Sequence, residues 1–156
     1  HAGVIIRSLL FALPAKTKTA HIPWATYTEP ELAQVGLTEA QAQDQHGDKL
    51  EVVRFHYNHN DRAIAERKTD GLIKVMVVKG RPVGVSIAGH QAGELINLWS
   101  LVIANNMKMS QVAAMVSPYP TIGEVNKRAA GAYFSPRLFE SAAVKRVVGL
   151  VQRLIP

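Results

Sequence analysis

Two apolar, β-branched runs, Leu72–Val78 and Val83–Ala88, flank Lys79-Gly80-Arg81-Pro82. Such side chains suit a pleated, half-buried surface, and the glycine and proline between them supply turn chemistry. The segment therefore reads as an antiparallel hairpin. Further strands are expected nearby. Residues 51–57 alternate in character, with Val53, Phe55 and Tyr57 on one face. A short strand from Trp24 to Thr28 is closed by Glu29-Pro30.

The helical signals lie mostly downstream. Thr38, with Gln41 three positions on, forms a capping box in which each side chain answers a backbone N–H of the other residue. Gly47-Asp48 ends that helix. Ala92 to Asn106 carries Leu95, Ile96, Leu98, Trp99, Val102 and Ile103 as a wide apolar stripe. Ser110 is expected to cap a short helix, and Thr121 to cap another with Glu124 in its capping box. Ser135-Pro136 is expected to begin a last helix. Strands crowd the first half and helices the second, without βαβ alternation. The fold class is α+β: an antiparallel sheet of four to five strands with helices packed on one side.

Before the first strand, Val4, Ile5, Ser8, Leu9 and Leu10 recur at helical spacing, and the pattern stops at Pro14. A polar, lysine-bearing connector, Ala15 to Ala20, follows. The change in composition places a boundary near His21. Residues 1–20 then read as the tail of an upstream unit, 21–134 as one domain and 135–156 as an amphipathic helical extension. With 156 residues, 47% of them hydrophobic and 19% charged, the chain suits one globular core. No apolar stretch approaches the ~20 residues that span a bilayer. The net charge of +6 is scattered, and no aromatic residues interleave with the basic ones, so neither a nucleic-acid nor a membrane partner is expected. The absence of cysteine removes disulfides and thiolate metal sites from this chain. It is compatible with a reducing cytoplasm. A first residue other than methionine suggests an excised or processed piece.

The sequence contains no glycine-rich phosphate loop, HExxH or calcium-loop spacing. His56 and His59 are three apart, which on an extended strand sends them to opposite faces and disfavours a shared metal ion. The most unusual segment is Ser117-Pro118-Tyr119-Pro120-Thr121-Ile122-Gly123-Glu124. Two prolines fix the backbone on either side of Tyr119 and so hold its phenol in one direction. A phenol so held can donate a hydrogen bond at an active site.

Several blocks, in order, resemble the C-terminal dimerisation domain of the flavoprotein disulfide reductases, the family of dihydrolipoamide dehydrogenase, glutathione reductase and mercuric reductase. They are Tyr27-Thr28-Glu29-Pro30-Glu31-Leu32-Ala33-Gln34-Val35-Gly36-Leu37-Thr38-Glu39, Asn60-Asp61-Arg62-Ala63, Gly71-Leu72-Ile73-Lys74, the run from Ala88 to Ile96, and Tyr119-Pro120-Thr121-Ile122-Gly123-Glu124. Together they cover nearly all of residues 24–130. His1 to Arg7 resembles the last helix of the preceding flavin domain.

The resemblance implies a division of labour. Upstream domains of the full-length parent would bind FAD and NAD(P), none of which this piece binds itself, and the present domain would make a homodimer. Its last motif would reach into the partner's active site, where the family presents a histidine oriented by a glutamate as general acid–base. Here Tyr119 stands at the histidine position and Glu124 at the glutamate, the two candidate catalytic residues, acting in trans. A phenol with a reference pKa of about 10 is a poor base near neutral pH, but it can donate a hydrogen bond. Tyrosine at this place is similar to the mercuric reductase branch. That branch carries a C-terminal cysteine pair, whereas this chain ends Leu154-Ile155-Pro156. The parent is thus expected to be a dihydrolipoamide-dehydrogenase-like or mercuric-reductase-like oxidoreductase, and this piece alone to be inactive. The alternative is a stand-alone homodimeric interaction module without redox activity.

Gly89 and Gly93, with Ala92 and Glu94, are expected to shape a strand-to-helix turn. In the extension, Val144, Val147, Val148, Val151 and Leu154 form an apolar face, with Lys145, Arg146 and Arg153 elsewhere. Packing along the dimer is the plain reading of that face, and an interfacial membrane helix is the other.

Overall fold

A computed structural model describes residues 2–13, 19 and 21–154. Pro14 and all of the connector except Thr19 lie outside the described residues.

The hairpin forms as the turn chemistry requires. Strands β4 (Leu72–Val78) and β5 (Arg81–Gly89) are joined by Lys79 and Gly80, both at positive φ. That is the backbone of a two-residue hairpin turn whose twist matches the strands it joins. Pro82 lies inside β5 opposite a register shift at Met76/Val77, where the ladder is already interrupted and a missing N–H costs little. Strand β3 (Leu50–His56) pairs with β4, β2 (Glu31–Gly36) with β5, and β1 (Trp24–Thr26) with β2, all antiparallel. The sheet order is β1-β2-β5-β4-β3. Five strands agree with the expected architecture, and β2 is the one the residue pattern alone did not suggest.

One face of the sheet carries the core. Ala33, Val35, Ile73, Val75, Val85 and Ile87 are fully or almost fully buried and stand in register across the strands. Helices α4 (Ala92–Ala104) and α6 (Glu124–Ala132) cover them, with the short α5 (Met109–Ala113) against α6. The expected stripe on α4 holds: Leu95, Ile96, Trp99 and Val102 are buried. Burying side chains of this kind contributes ~1.5–3 kcal/mol each. The one indole N–H among them donates to Asn126 Oδ1 at 2.8 Å, and Asn126 Nδ2 donates to the Leu95 carbonyl at 3.1 Å. The two main helices are therefore joined without a stranded polar group.

The opposite face is polar along one row. Gln34, Ser86, Lys74 and Arg54 are cross-strand neighbours. Helix α2 (Glu39–His46) lies against this face, where Glu39 accepts from Arg54 Nη2 at 2.8 Å and from Lys74 Nζ at 2.7 Å. The main helical layer thus sits on one side as expected, with α2 as a single helix on the other. Its capping box is present as read: the Gln41 amide donates to Thr38 Oγ1, and the Thr38 amide to Gln41 Oε1.

Three expected helix starts are corrected. Helix α5 begins at Met109 after Lys108, so Ser110 lies inside it, and the Lys108 amide is satisfied by Gln111 Oε1. Met109 is fully buried, and its packing sets the start two residues early. Helix α6 begins at Glu124 after Gly123, and the Thr121 hydroxyl donates to the Pro118 carbonyl instead of capping. The last helix is two: α7 (Ser135–Phe139), which follows Phe134, and α8 (Ala142–Leu154). At the N-terminus, α1 (Ala2–Phe11) leaves Ile5, Leu9, Leu10 and Phe11 exposed.

Candidate functional site

Tyr119 lies in the loop between α5 and α6, and the surrounding residues explain how an irregular segment is held in place. Tyr57 comes first. It is fully buried, its amide donates to the Gly71 carbonyl and its hydroxyl to the His90 carbonyl. Gly71 and Gly89 admit its ring: a Cβ on Gly71 would stand 2.5 Å from Tyr57 Cγ, and one on Gly89 2.9 Å from Cε2. Gly89 also sits at φ +151, a conformation that side chains disfavour. Burial, and secondarily the charge of Glu31, pushes the Tyr57 phenol up. Tyr57 is a structural phenol.

The Tyr57 carbonyl accepts from the Asn60 amide, which brings the fully buried Asn60 side chain to a crossroads. Its Oδ1 accepts from the Ala63 amide, capping helix α3 (Asp61–Ala65), and its Nδ2 donates to the Thr121 carbonyl at 3.0 Å. Thr121 is pinned a second time by its hydroxyl bond to the Pro118 carbonyl at 2.8 Å. The Tyr119-Pro120 peptide between these pins is cis. Ile122, buried in the core, fixes the segment's downstream end.

So held, Tyr119 is 68% exposed, yet its hydroxyl donates to Asp61 Oδ2 at 2.9 Å. The hydrogen bond to Asp61, followed by that residue's charge, holds the phenol above the ordinary tyrosine value, and the charge of Glu124 adds to the effect. A phenol raised in this way keeps its proton near neutral pH. It is a hydrogen-bond donor and not a base.

Glu124, the first residue of α6, does not hold Tyr119. Its Oε2 is buried without a hydrogen-bond partner among the described residues. The structure therefore brings Tyr119 together with Asp61 rather than with the glutamate expected to orient it. No spacing rule connects residues 61 and 119, so periodicity could not find this partner. Of the other residues singled out in the sequence, His56 closes β3 and His59 lies in the turn after it, its ring tilted against Phe55. Glu31 reaches from β2 to accept from the Gly93 amide at 2.9 Å, and so fixes the start of α4.

The five-stranded sheet with its helices has a counterpart in known proteins. The family model described as the pyridine nucleotide-disulphide oxidoreductase dimerisation domain matches residues 22–130. The chain belongs to this family. A dihydrolipoyl dehydrogenase of Bacillus subtilis (strain 168) is 35% identical over 132 residues, covering 83% of this chain and 28% of the relative. A mercuric reductase of Shewanella putrefaciens is 38% identical over 112 residues, covering 70% of this chain and 20% of the relative. Among solved structures, the Cu(II) complex of the HOCl-induced flavoprotein disulfide reductase RclA from Escherichia coli matches with a TM-score of 0.76 and 23% identity. That match covers 83% of this chain and 30% of the other, and is a likeness of fold. The chain spans less than a third of the length of each of these proteins. Within the family this matched region is the dimerisation domain.

Proposed function

We propose that this domain pairs two copies of an FAD- and NAD(P)-dependent oxidoreductase and delivers Tyr119 into the partner subunit's active site. The observation that carries this reading is the combination at Tyr119: an aromatic side chain 68% exposed but fixed at its hydroxyl by Asp61. Fixing an exposed aromatic before association lowers the cost of ordering it in an interface. Residues 1–20 then belong to the end of the preceding flavin domain, and the exposed apolar side of α1 fits a helix whose partner surface lies elsewhere in the parent. Residues 21–134 are the dimerisation domain and 135–156 its extension. A cytoplasmic setting accords with a chain that has no cysteine.

Neither cofactor is assigned to residues of this chain, which has no glycine-rich phosphate loop and no redox cysteine pair. FAD and NAD(P) would supply hydride and electron transfer in the upstream domains. The domain's own contribution is narrower. Tyr119 offers one O–H to a reacting or substrate atom, exchanging its bond to Asp61 for a bond across the interface. Glu124, at the family's glutamate position, is the second candidate residue; its Oε2 is buried without a hydrogen-bond partner among the described residues, so its role is confined to the base of the loop. Tyr119 supplies hydrogen bonding in place of a histidine's proton transfer.

In the full-length enzyme, Tyr119→Phe should lower kcat by about a hundredfold to a thousandfold, the usual cost of one donor aimed at developing charge, while dimerisation is unchanged. Steady-state NAD(P)H oxidation measured beside sedimentation checks both. An unchanged kcat would remove Tyr119 from the active site. The gene sequence upstream of His1 separates this reading from a stand-alone interaction module: a nucleotide-binding fingerprint in frame supports the oxidoreductase, and a start codon there supports the module.

A further inference from the structure

Helix α8 has two chemically distinct sides. At 3.6 residues per turn, Val144, Val147, Val148, Leu150 and Val151 share one side, and Lys145, Arg146, Gln152 and Arg153 share the other. The helix contains no acidic residue. Its apolar side does not pack onto the domain: Val147, Val148, Leu150 and Val151 are all exposed. Leu138 and the 72% exposed Phe139 of α7 extend this surface, and with Val144 and Val148 they line one shallow groove. The root of the extension is fixed. Arg137 lies 3.9 Å from the centre of the Tyr133 ring, donates to the Tyr133 carbonyl at 2.6 Å and pairs with Glu51 of β3. The fold thus anchors α7 and leaves α8 uncovered.

Charge decides what suits that surface. A second copy packed on the apolar side would leave Lys145, Arg146 and Arg153 facing away from the contact, with no acidic residue on α8 to pair with them, so it would use only one of the helix's two sides. An anionic lipid surface answers both sides at once: apolar residues enter the boundary between headgroups and acyl chains, and the basic stems reach up to lipid phosphates. No helix among the described residues is long and apolar enough to cross a membrane, so the contact lies in the plane of the interface.

We propose that α8, with the end of α7, is an interfacial helix that docks this domain on an anionic lipid surface. The proposal is independent of the role of Tyr119, and its failure leaves the dimerisation reading standing. The test is co-flotation of the 156-residue chain with vesicles of phosphatidylglycerol and phosphatidylcholine, beside vesicles of phosphatidylcholine alone. Binding should be about a hundredfold tighter on the anionic vesicles, as expected for three cations near a charged surface, and should weaken steeply with salt. Val148→Asp with Val151→Asp should abolish flotation without changing the thermal melt, because both side chains are exposed in the folded domain. Lys145→Gln with Arg146→Gln and Arg153→Gln should reduce anionic binding to the neutral level. No flotation, equal binding to both vesicles, or binding indifferent to the aspartates overturns the proposal. So does an aspartate variant that turns a dimer into a monomer while flotation persists, since a second copy would then be what covers the face.

Discussion

Asn60 commits both atoms of its amide inside the protein, one to the start of α3 and one to the Thr121 carbonyl that ends the Tyr119 loop. Asn60→Ala removes a helix cap and strands a partly buried carbonyl, and losses of this kind add to about 2–3 kcal/mol. Urea unfolding should show that loss. Asn60→Asp, which keeps the cap but buries a carboxylate oxygen against the Thr121 carbonyl, should lose at least as much at neutral pH. At this scale the sequence was informative about Tyr119 and silent about its partner. The two prolines mark a fixed loop whatever the fold, so the exposed phenol could be singled out. The Tyr119–Asp61 bond depends on α3 and the loop meeting 58 positions apart, which no local pattern encodes. The resemblance pointed to Glu124 instead, whose buried Oε2 has no partner among the described residues.

Among elements, legibility followed how far each depends on its own residues. The β4–β5 turn and the α2 capping box are local and formed as read. Thr38→Ala should therefore cost about 1 kcal/mol of stability, measurable as a lowered unfolding midpoint, with the sheet's own cross-strand register unaffected. β2 was hidden because Glu29-Pro30 reads as a stop and the polar Gln34 interrupts an apolar run. In the fold Gln34 is almost fully buried and satisfied, donating to the Val35 and Leu37 carbonyls and accepting from the Ser86 hydroxyl. Two of these partners are neighbours in the chain, but they accept from Gln34 only in the folded geometry, and the third, Ser86, comes from β5. The starts of α5 and α6 shifted for a similar reason: Met109 and Ile122 enter the core, and the core, not the nearest hydroxyl, sets where the helix begins.

Taken whole, the molecule is well packed at its centre and apolar around its margins. The segment 21–27 runs antiparallel beside α4, since the Ser100 hydroxyl donates to the His21 carbonyl and Gly93 lies against Tyr27. Along that border Trp24, Leu101 and the 82% exposed Tyr27 face outward. A border of this kind is suited to burial against another protein surface. Sedimentation equilibrium of the chain should give a dimer at tens of micromolar. A monomer would mean that pairing depends on parts of the parent outside this chain.

The pins around Thr121 have a practical consequence. The Met115 amide is tied back to the Val112 carbonyl and Thr121 is tied forward to Asn60, so residues 116–120 form a tip on a fixed handle. A segment mounted in this way is interchangeable: new chemistry can be fitted between the same two fasteners without the sheet or its helices having to be rebuilt.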